Sequence, residues 1–377
     1  MSLRDALRRL AAVPGSSSPF VSTYLNLTPQ GPGVLTHPVF LKKRFTDELR
    51  RFPERSRQRA GLEAIAERVQ DHLDFDISPG QRAVAFFARS GDGDFFEVLH
   101  VPVSFPAHAL VVAARPYLYP LVRLAKLAPP TVAAVVDTNT TRVFALSLGQ
   151  VVSRRELHGE HLHRSQSGGL AHARFQRHVE DHYLHHAKET ARLLDRLVRE
   201  HRAEYVLIGG DRVILPELGR QLTSSVRSIL LAEPHWDIRI AEHELVQEAC
   251  RRVAEAERRG ARLRSAEILD AARGNGPATA GLAATLEALG QGKVTELLVE
   301  ESEGPDAWID VCESCGHPAT DPAVTSCPEC GNEDLREELL YGVLVREAIA
   351  HGGAVRVVEP HAALSRAGGV AAALRYR

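Results

Sequence analysis

The sequence predicts a multidomain chain of α/β and α+β character, on three observations. The first is length: 377 residues, at roughly 150 residues per domain, make two to three domains. The second is alternation, since short β-branched runs take turns with stretches of helical periodicity throughout. The third is punctuation, with Pro129-Pro130 and the region after Pro234 breaking the pattern where regular structure cannot continue. The expected division is an N-terminal α+β domain (1–128), a middle domain (129–238) and a C-terminal α/β domain (239–377). The middle domain should hold a mixed sheet and a long helix tipped by a glycine pair. The last should be an α/β sandwich with a cysteine-bearing insert at about 308–335.

The first domain opens with a strand at 20–25, closed by the turn-forming cluster Pro29-Gln30-Gly31-Pro32-Gly33. Helices are expected at 39–51 and 59–73, on either side of Pro53, and strands at 83–88 and 95–101, joined through Gly91-Asp92-Gly93-Asp94. A basic run begins in the first helix and continues past Pro53. Lys42, Lys43, Arg44, Arg50, Arg51, Arg55, Arg57 and Arg59 face only Asp47, Glu48 and Glu54. Such a run is either the solvated face of a helix or a surface that neutralises RNA phosphates. The net charge of −2 does not by itself announce a nucleic-acid binder.

In the middle domain, 132–137, 142–148 and 151–157 read as three neighbouring antiparallel strands, turned through Thr138-Asn139-Thr140-Thr141 and Gly149-Gln150. The glycine pair Gly168-Gly169 then opens a long helical pattern. Phe175, Val179, Tyr183, Ala187, Ala191, Leu194 and Val198 form one apolar stripe, while Arg174, Arg177, His178, His182, His185, Lys188 and Arg192 occupy the other face. Glycines without a Cβ let backbone approach a partner closely. The stretch is either a loop carried to a distant target or an ordinary turn entering a surface helix. A buried strand at 205–208 ends in Gly209-Gly210-Asp211; a helix from Pro216 and a strand at 226–231 complete the domain.

The third domain begins with a long helix whose face is set by Leu245, Ala249, Val253 and Ala256. Gly274-Asn275-Gly276 follows a helix rather than a strand, so it is not a dinucleotide loop. A helix at 282–289, a strand at 294–299, a helix at 338–350 and a strand at 354–358 continue the alternation. The chain then runs through Gly368-Gly369 to Tyr376.

The strongest chemical signal lies in the insert. Cys312 and Cys315 form one Cys-x-x-Cys knuckle, and Cys327 and Cys330 another, each followed by a glycine, Gly316 and Gly331. Four thiolates so arranged suit tetrahedral Zn²⁺ in a closed structural site. Disulfides are disfavoured because 1–9 is charged and lacks the apolar core of a secretory signal. The fifth cysteine, Cys250, reads as a small buried hydrophobe. Nine of the 18 histidines fall within 158–201. His178 and His182 have the spacing of two metal ligands, but a third ligand is wanting and surface histidines are the simpler reading. No apolar run reaches the roughly 20 residues of a membrane span, so a cytoplasmic location is expected.

These motifs carry a resemblance. Gly168-Gly169, then Ala173-Arg174-Phe175-Gln176-Arg177-His178, then Ala187-Lys188-Glu189-Thr190-Ala191, resemble the middle domain of the archaeal and eukaryotic class-I release factor and Pelota superfamily. The bacterial branch of that group is the most similar. Thr285-Leu286-Glu287-Ala288-Leu289-Gly290 and the closing Gly368-Gly369-Val370 to Leu374-Arg375-Tyr376 resemble parts of its third domain, where archaeal members carry a zinc ribbon. The resemblance spans about residues 130 to 377.

It implies a factor of tRNA-like shape that enters the ribosomal A site as a monomer. The implied contacts are rRNA, through Arg174, Arg177, His178, Lys42, Lys43 and Arg44, and peptidyl-tRNA, and the implied helper is an elongation-factor-type GTPase. In release factors a Gly-Gly-Gln tip positions water against the peptidyl-tRNA ester. Here Gly168 and Gly169 match, the third position is Leu170, and His172 stands where bacterial relatives often place a glutamine. The catalytic candidates are therefore Gly168, Gly169 and His172. No stop-codon-reading motif is present in 1–128. Two readings follow: a rescue factor that hydrolyses peptidyl-tRNA, or a non-catalytic A-site occupant similar to hibernation factors of the Balon type.

Overall fold

The computed structural model describes residues 3–16, 18–29, 34–78, 81–91, 93–159, 170–302, 307–319 and 324–376, with backbone only for 170–180. The described chain is α/β with mixed sheets, in two compact units. One joins Met1–Lys126 to Arg258–Arg377; the other is Leu127–Glu257.

The first unit begins with α1 (Leu3–Ala11), β1 (Phe20–Asn26), α2 (His37–Leu49), α3 (Arg57–Phe75), β2 (Ala83–Arg89), β3 (Phe95–Val101), β4 (Ala109–Ala113) and α4 (Tyr119–Leu127). The strands form an antiparallel sheet ordered β3-β2-β1-β4. Every residue of β1 and β2 is buried. Their alternate residues Val21, Leu25, Val84, Phe86 and Ala88 meet Leu41 and Phe45 of α2 and Leu62, Ile65 and Val69 of α3. Proline at the start of α2 suits a position whose N–H is orphaned anyway. Ser56 Oγ accepts from Arg59 N–H at 3.2 Å and so caps α3. The sequence reading lacks α1, β4 and α4, which are short.

The middle unit runs β5 (Thr131–Val136), β6 (Thr140–Ser147), β7 (Gln150–His158), α5 (Leu170–His201), β8 (Tyr205–Gly210), α6 (Leu215–Gln221), α7 (Ser224–Ser228), β9 (Leu230–Ala232) and the first half of α8 (Glu242–Arg273). Its sheet is ordered β7-β6-β5-β8-β9. The three expected strands pair antiparallel, and β8 joins β5 in parallel. The strand expected at 226–231 is a correction. Thr223 Oγ1 accepts from Val226 N–H at 3.4 Å, which starts α7 instead, and leaves only Leu230–Ala232 to pair with β8.

Period two divides β5 between two cores. Val132, Ala134 and Val136 pack with Ala187, Ala191, Leu194, Leu197 and Val198 of α5. Ala133 and Val135 pack with Trp236 and with Leu245, Ala249 and Val253 of α8. Backbone crowding at the end of β8 admits only glycine. A Cβ on Gly210, at φ +143°, would lie 1.8 Å from the Val136 carbonyl oxygen, and one on Gly209 would lie 2.4 Å from that of Pro234.

A polar seam joins α5 to the β5–β6 hairpin above the apolar core. Thr141, His186 and Thr190 are buried. Thr141 Oγ1 lies 3.0 Å from His186 Nε2 and 2.8 Å from Thr190 Oγ1. Burial lowers the His186 pKa from its ordinary value; the Thr140 backbone opposes it, His182 adds to the lowering, and Asp137 and Glu189 oppose it more weakly.

The chain returns to the first unit through β10 (Ala278–Ala280), α9 (Leu282–Gly290), β11 (Val294–Glu300), β12 (Trp308–Cys312), β13 (Leu335–Leu339), α10 (Leu340–Ala350), β14 (Ala354–Val358), α11 (Ala362–Arg366) and β15 (Val370–Leu374). The expected helix at 338–350 starts two residues later, because Glu338 belongs to β13. The sheet is ordered β10-β15-β11-β14, with β11 and β14 parallel. The C-terminal half of α8 covers one face through Ala261, Ile268 and Leu269. Arg346 and Glu338, with side chains 2% and 5% exposed, form an ion pair of 2.7 Å. Within the same unit Arg123 and Lys126 of α4 share Glu301, at 2.7 and 3.5 Å, and the rings of Tyr119 and Tyr341 lie 4.8 Å apart.

Three outcomes are expected in thermal unfolding. Gly210→Ala should cost about 3 kcal/mol or prevent folding. Gly219→Ala, where an added Cβ meets nothing within 4 Å, should be neutral or stabilising by up to about 1 kcal/mol. For His186, whose folded pKa is lowered, the unfolded chain binds more protons between that value and about 6.5, so stability is complete above pH ~6.5 and falls as the solution is acidified. His186→Gln should narrow the Tm difference between pH 7.5 and 5.5 by about 2–4 °C relative to wild type.

Candidate metal centre and the α5 segment

The cysteine insert is built as two copies of one turn. Cys312 ends β12, opposite Leu335 of β13. Its carbonyl accepts from Gly316 N–H at 2.9 Å, and its own N–H donates to the His317 carbonyl at 2.9 Å. In the second turn Gly331 N–H donates to the Cys327 carbonyl at 2.8 Å, and Cys327 N–H to the Asn332 carbonyl at 2.7 Å. Gly316 and Gly331 take φ of +78° and +75°, the left-handed conformation that glycine adopts without penalty. Each turn thereby presents two thiols to the same point.

The sulfur atoms of Cys312, Cys315, Cys327 and Cys330 all lie within 4.8 Å of one another. Cys312 Sγ is 3.6 Å from Cys330 Sγ, and Cys315 Sγ is 3.5 Å from Cys327 Sγ. A disulfide would need about 2.05 Å, so these are free thiols. Four sulfurs each about 2.3 Å from a tetrahedral ion would lie about 3.8 Å apart, and the set fits one metal ion. Cys312 and Cys327 are buried, Cys315 and Cys330 exposed. Beside the first turn a cleft of about 320 Å³ carries charges of both signs, from Arg115 and Arg336 and from Glu313, Asp334 and Glu338.

The other expected site residues divide by place. Gly168 and Gly169 lie outside the described residues. His172, Arg174, Arg177 and His178 lie in the first turns of α5, in the stretch described by its backbone. Lys42 and Lys43 are exposed on α2. Arg44 is engaged locally, donating to Glu48 Oε1 at 3.4 Å and to the Leu110 carbonyl at 3.3 Å. The buried Glu48 also takes Arg51, at 3.0 Å.

Of the histidine pair read as potential ligands, only the backbone of His178 is described. His182 turns to the β5–β6 hairpin, its Nε2 3.0 Å from Asn139 Oδ1. Asn139 reads as a residue of the β5–β6 turn, but its pairing with His182 escapes the sequence reading. The local signal was Asp137, two residues earlier, whose side chain can build a turn onto its own backbone. Cys250 is half-buried, 3.7 Å from the position a Cβ on Gly149 would take. Burial raises its thiol pKa, as suits an inert packing residue.

Residues 116–258 match the family described as bacterial archaeo-eukaryotic release factor family 10. That interval contains the whole middle unit, with β5 to β9 and α5. No curated protein is similar enough to the chain to count as a match. Solved structures similar to it include the archaeal translation termination factor aRF1, at 17% identity over 99% of this chain and 97% of that one, TM-score 0.26. A second is the Saccharomyces cerevisiae translation termination-like factor Dom34, at 10% identity over 78% and 79%, TM-score 0.40. A third is a model of ribosome-bound archaeal Pelota and ABCE1, at 13% identity over 100% and 94%, TM-score 0.41. Over its middle segment, residues 116–258, the chain is thus similar to the bacterial archaeo-eukaryotic release factor family 10.

Proposed function

We propose that this protein is a ribosome-associated, tRNA-mimicking translation factor that enters the A site and promotes hydrolysis of the peptidyl-tRNA ester in ribosome rescue. The observation that supports the reading best is the family match over 116–258, the interval in which Gly168-Gly169 directly precedes the 32-residue helix α5. At about 1.5 Å per residue that helix is about 48 Å long, a span suited to carrying a loop away from its domain. The glycines allow backbone N–H groups to approach the ester, and His172 supplies a group able to move a proton near neutral pH. In this reading Arg174, Arg177 and His178, with Lys42, Lys43 and Arg44 on α2, neutralise rRNA phosphates. Delivery by an elongation-factor-type GTPase, action as a monomer and a cytoplasmic location belong to the same proposal.

The ester hydrolysis itself asks for little covalent chemistry from the protein. Water attacks the carbonyl carbon, and the ribose oxygen leaves with the proton. The factor's share is to place donors where the oxyanion develops and to hold the water. Leu170 specifically favours a second reading, since the side chain that usually follows the glycine pair is missing. In that reading the protein occupies the A site of idle ribosomes without hydrolysis.

The deciding measurement is single-turnover release of nascent peptide from ribosomes carrying peptidyl-tRNA and an empty A site, with co-sedimentation in the same samples. Release that falls about 100-fold or more in both Gly169→Ala and His172→Ala, with binding kept, is the expected result. Wild type that binds firmly without release makes the protein an occupancy factor. Absence of binding removes the ribosomal reading altogether.

For the cysteine site we assign a structural Zn²⁺ held by Cys312, Cys315, Cys327 and Cys330. When bound, the ion joins the two turns and supplies no reaction chemistry. Purified protein should contain one zinc per chain, measured by elemental analysis. Cys312→Ser or Cys327→Ser should lower the content well below one and expose the 308–339 region to protease, since metal binding and local folding are one equilibrium.

A further inference from the structure

Asn139, in the turn between β5 and β6, is where several independent constraints meet on one residue. Its N–H donates to Asp137 Oδ1 at 2.7 Å, and Thr140 N–H donates to the same oxygen at 2.6 Å. That side-chain turn fixes the hairpin end. The Asn139 carbonyl accepts from Gly159 N–H at 2.6 Å. Its side-chain Oδ1 lies 3.0 Å from His182 Nε2 on α5, a pair made when His182 carries its proton on Nε2. Gly159 leaves no spare space between them: a Cβ there would sit 3.0 Å from His182 Cε1 and 3.4 Å from the Asn139 carbonyl oxygen. One hairpin residue therefore ties both the end of the strand side, at Gly159, and the helix, at His182.

The position of this tie along α5 gives it leverage. Among the described residues, the apolar core shared by α5 and the sheet begins at Ala187, with Tyr183 packed at its margin. Towards the N-terminus, His186 on Thr141 and His182 on Asn139 are the last side-chain hydrogen bonds to the sheet among the described residues. Beyond His182 the helix continues to Leu170, about 18 Å at 1.5 Å per residue. A tilt of about 10° at His182 would move the start of the helix by about 3 Å, whereas a displacement of about 1 Å can cost 100-fold in a positioned reaction.

We infer that Asn139, together with His182 and Gly159, is a positioning clamp that sets the direction in which α5 carries its N-terminal end, with His172, Arg174 and the glycine pair before it. The inference rests on the proposed function for its consequence and on the geometry alone for its existence. None of the three residues touches the ester. Their effect passes through the helix axis, and the chemical requirement is one acceptor at residue 139 and one donor at residue 182.

Two measurements on the full-length chain separate the clamp from the functional reading. The first is hydrogen exchange at pH 7.5, following the Gly159 amide and the amides of 170–182. Asn139→Ala and His182→Ala should each speed exchange there at least about tenfold, with Tm falling by only a few degrees because the apolar core is unchanged. His182→Gln, which keeps an N–H donor, should stay within about threefold of wild type. Unchanged exchange in both alanine variants overturns the clamp, as does equal behaviour of the glutamine and alanine variants at 182. Should Asn139→Ala fail to fold, the two His182 variants carry the comparison.

The second is single-turnover release. Asn139→Ala should slow it about 10- to 100-fold while changing the half-saturating factor concentration less than threefold, and His182→Gln should restore it. Where wild type binds ribosomes without release, the exchange measurement alone decides the clamp. Absence of wild-type binding sinks the proposed function, yet the exchange result still decides the clamp.

Discussion

Burial of β5 on both faces is the constraint from which the middle unit follows. All six residues, Thr131 to Val136, are buried, so neither face can be left to water. A strand in that state needs a helix on each side. Helix α5 covers one face and α8, with Trp236, the other. The parallel partner β8 sits next to β5, and its closing glycines accept the crowding this produces. The polar seam lies at the rim of the same arrangement, where β5 turns into β6 and the sheet no longer offers apolar surface to α5. It can be polar because its groups meet one another: Thr141 with His186 and Thr190, and Asn139 with His182.

The metal site depends on a different economy. The β12–β13 hairpin is a two-stranded ribbon, and such a ribbon is marginal in water by itself. It gains definition from the two glycine-closed turns, whose hydrogen bonds are nearly superimposable in pattern and which bring four thiols together where one metal ion could be held. Nothing about the glycine pair ahead of α5 is of that kind. The cysteines specify a local structure completely, whereas Gly168-Gly169 specify only what the backbone is allowed to do.

Legibility in the sequence followed the range of the interactions. The strands β5, β6 and β7, the stripe of α5 and the paired knuckles are written in spacings of two to four residues and in turn chemistry, and they were readable. The segment 226–231 was misread because Val226, Ile229, Leu230 and Leu231 look like a strand. Thr223, three residues before Val226, capped a helical turn that the apolar run concealed. Helices α1 and α4 are nine residues each and are held by tertiary packing more than by their own pattern. The Asn139–His182 pair joins residues 43 positions apart, and no local period encodes it. His178 and His182 looked alike on the helix, and only the hairpin told His182 apart.

The ion pair of Arg346 and Glu338 bears on how this sequence is free to drift. Both side chains are almost wholly enclosed, and Arg346 Nε also lies 3.3 Å from Glu347 Oε1. Replacing both ends by apolar groups of similar volume is often tolerated or even stabilising, but removing one end strands a charge in the interior at a cost of about 3–5 kcal/mol. Descendants of this chain are thus expected to keep the two residues or to exchange them together. The first change along either single path would leave a protein close to its stability limit, so the history of one position is written into the other.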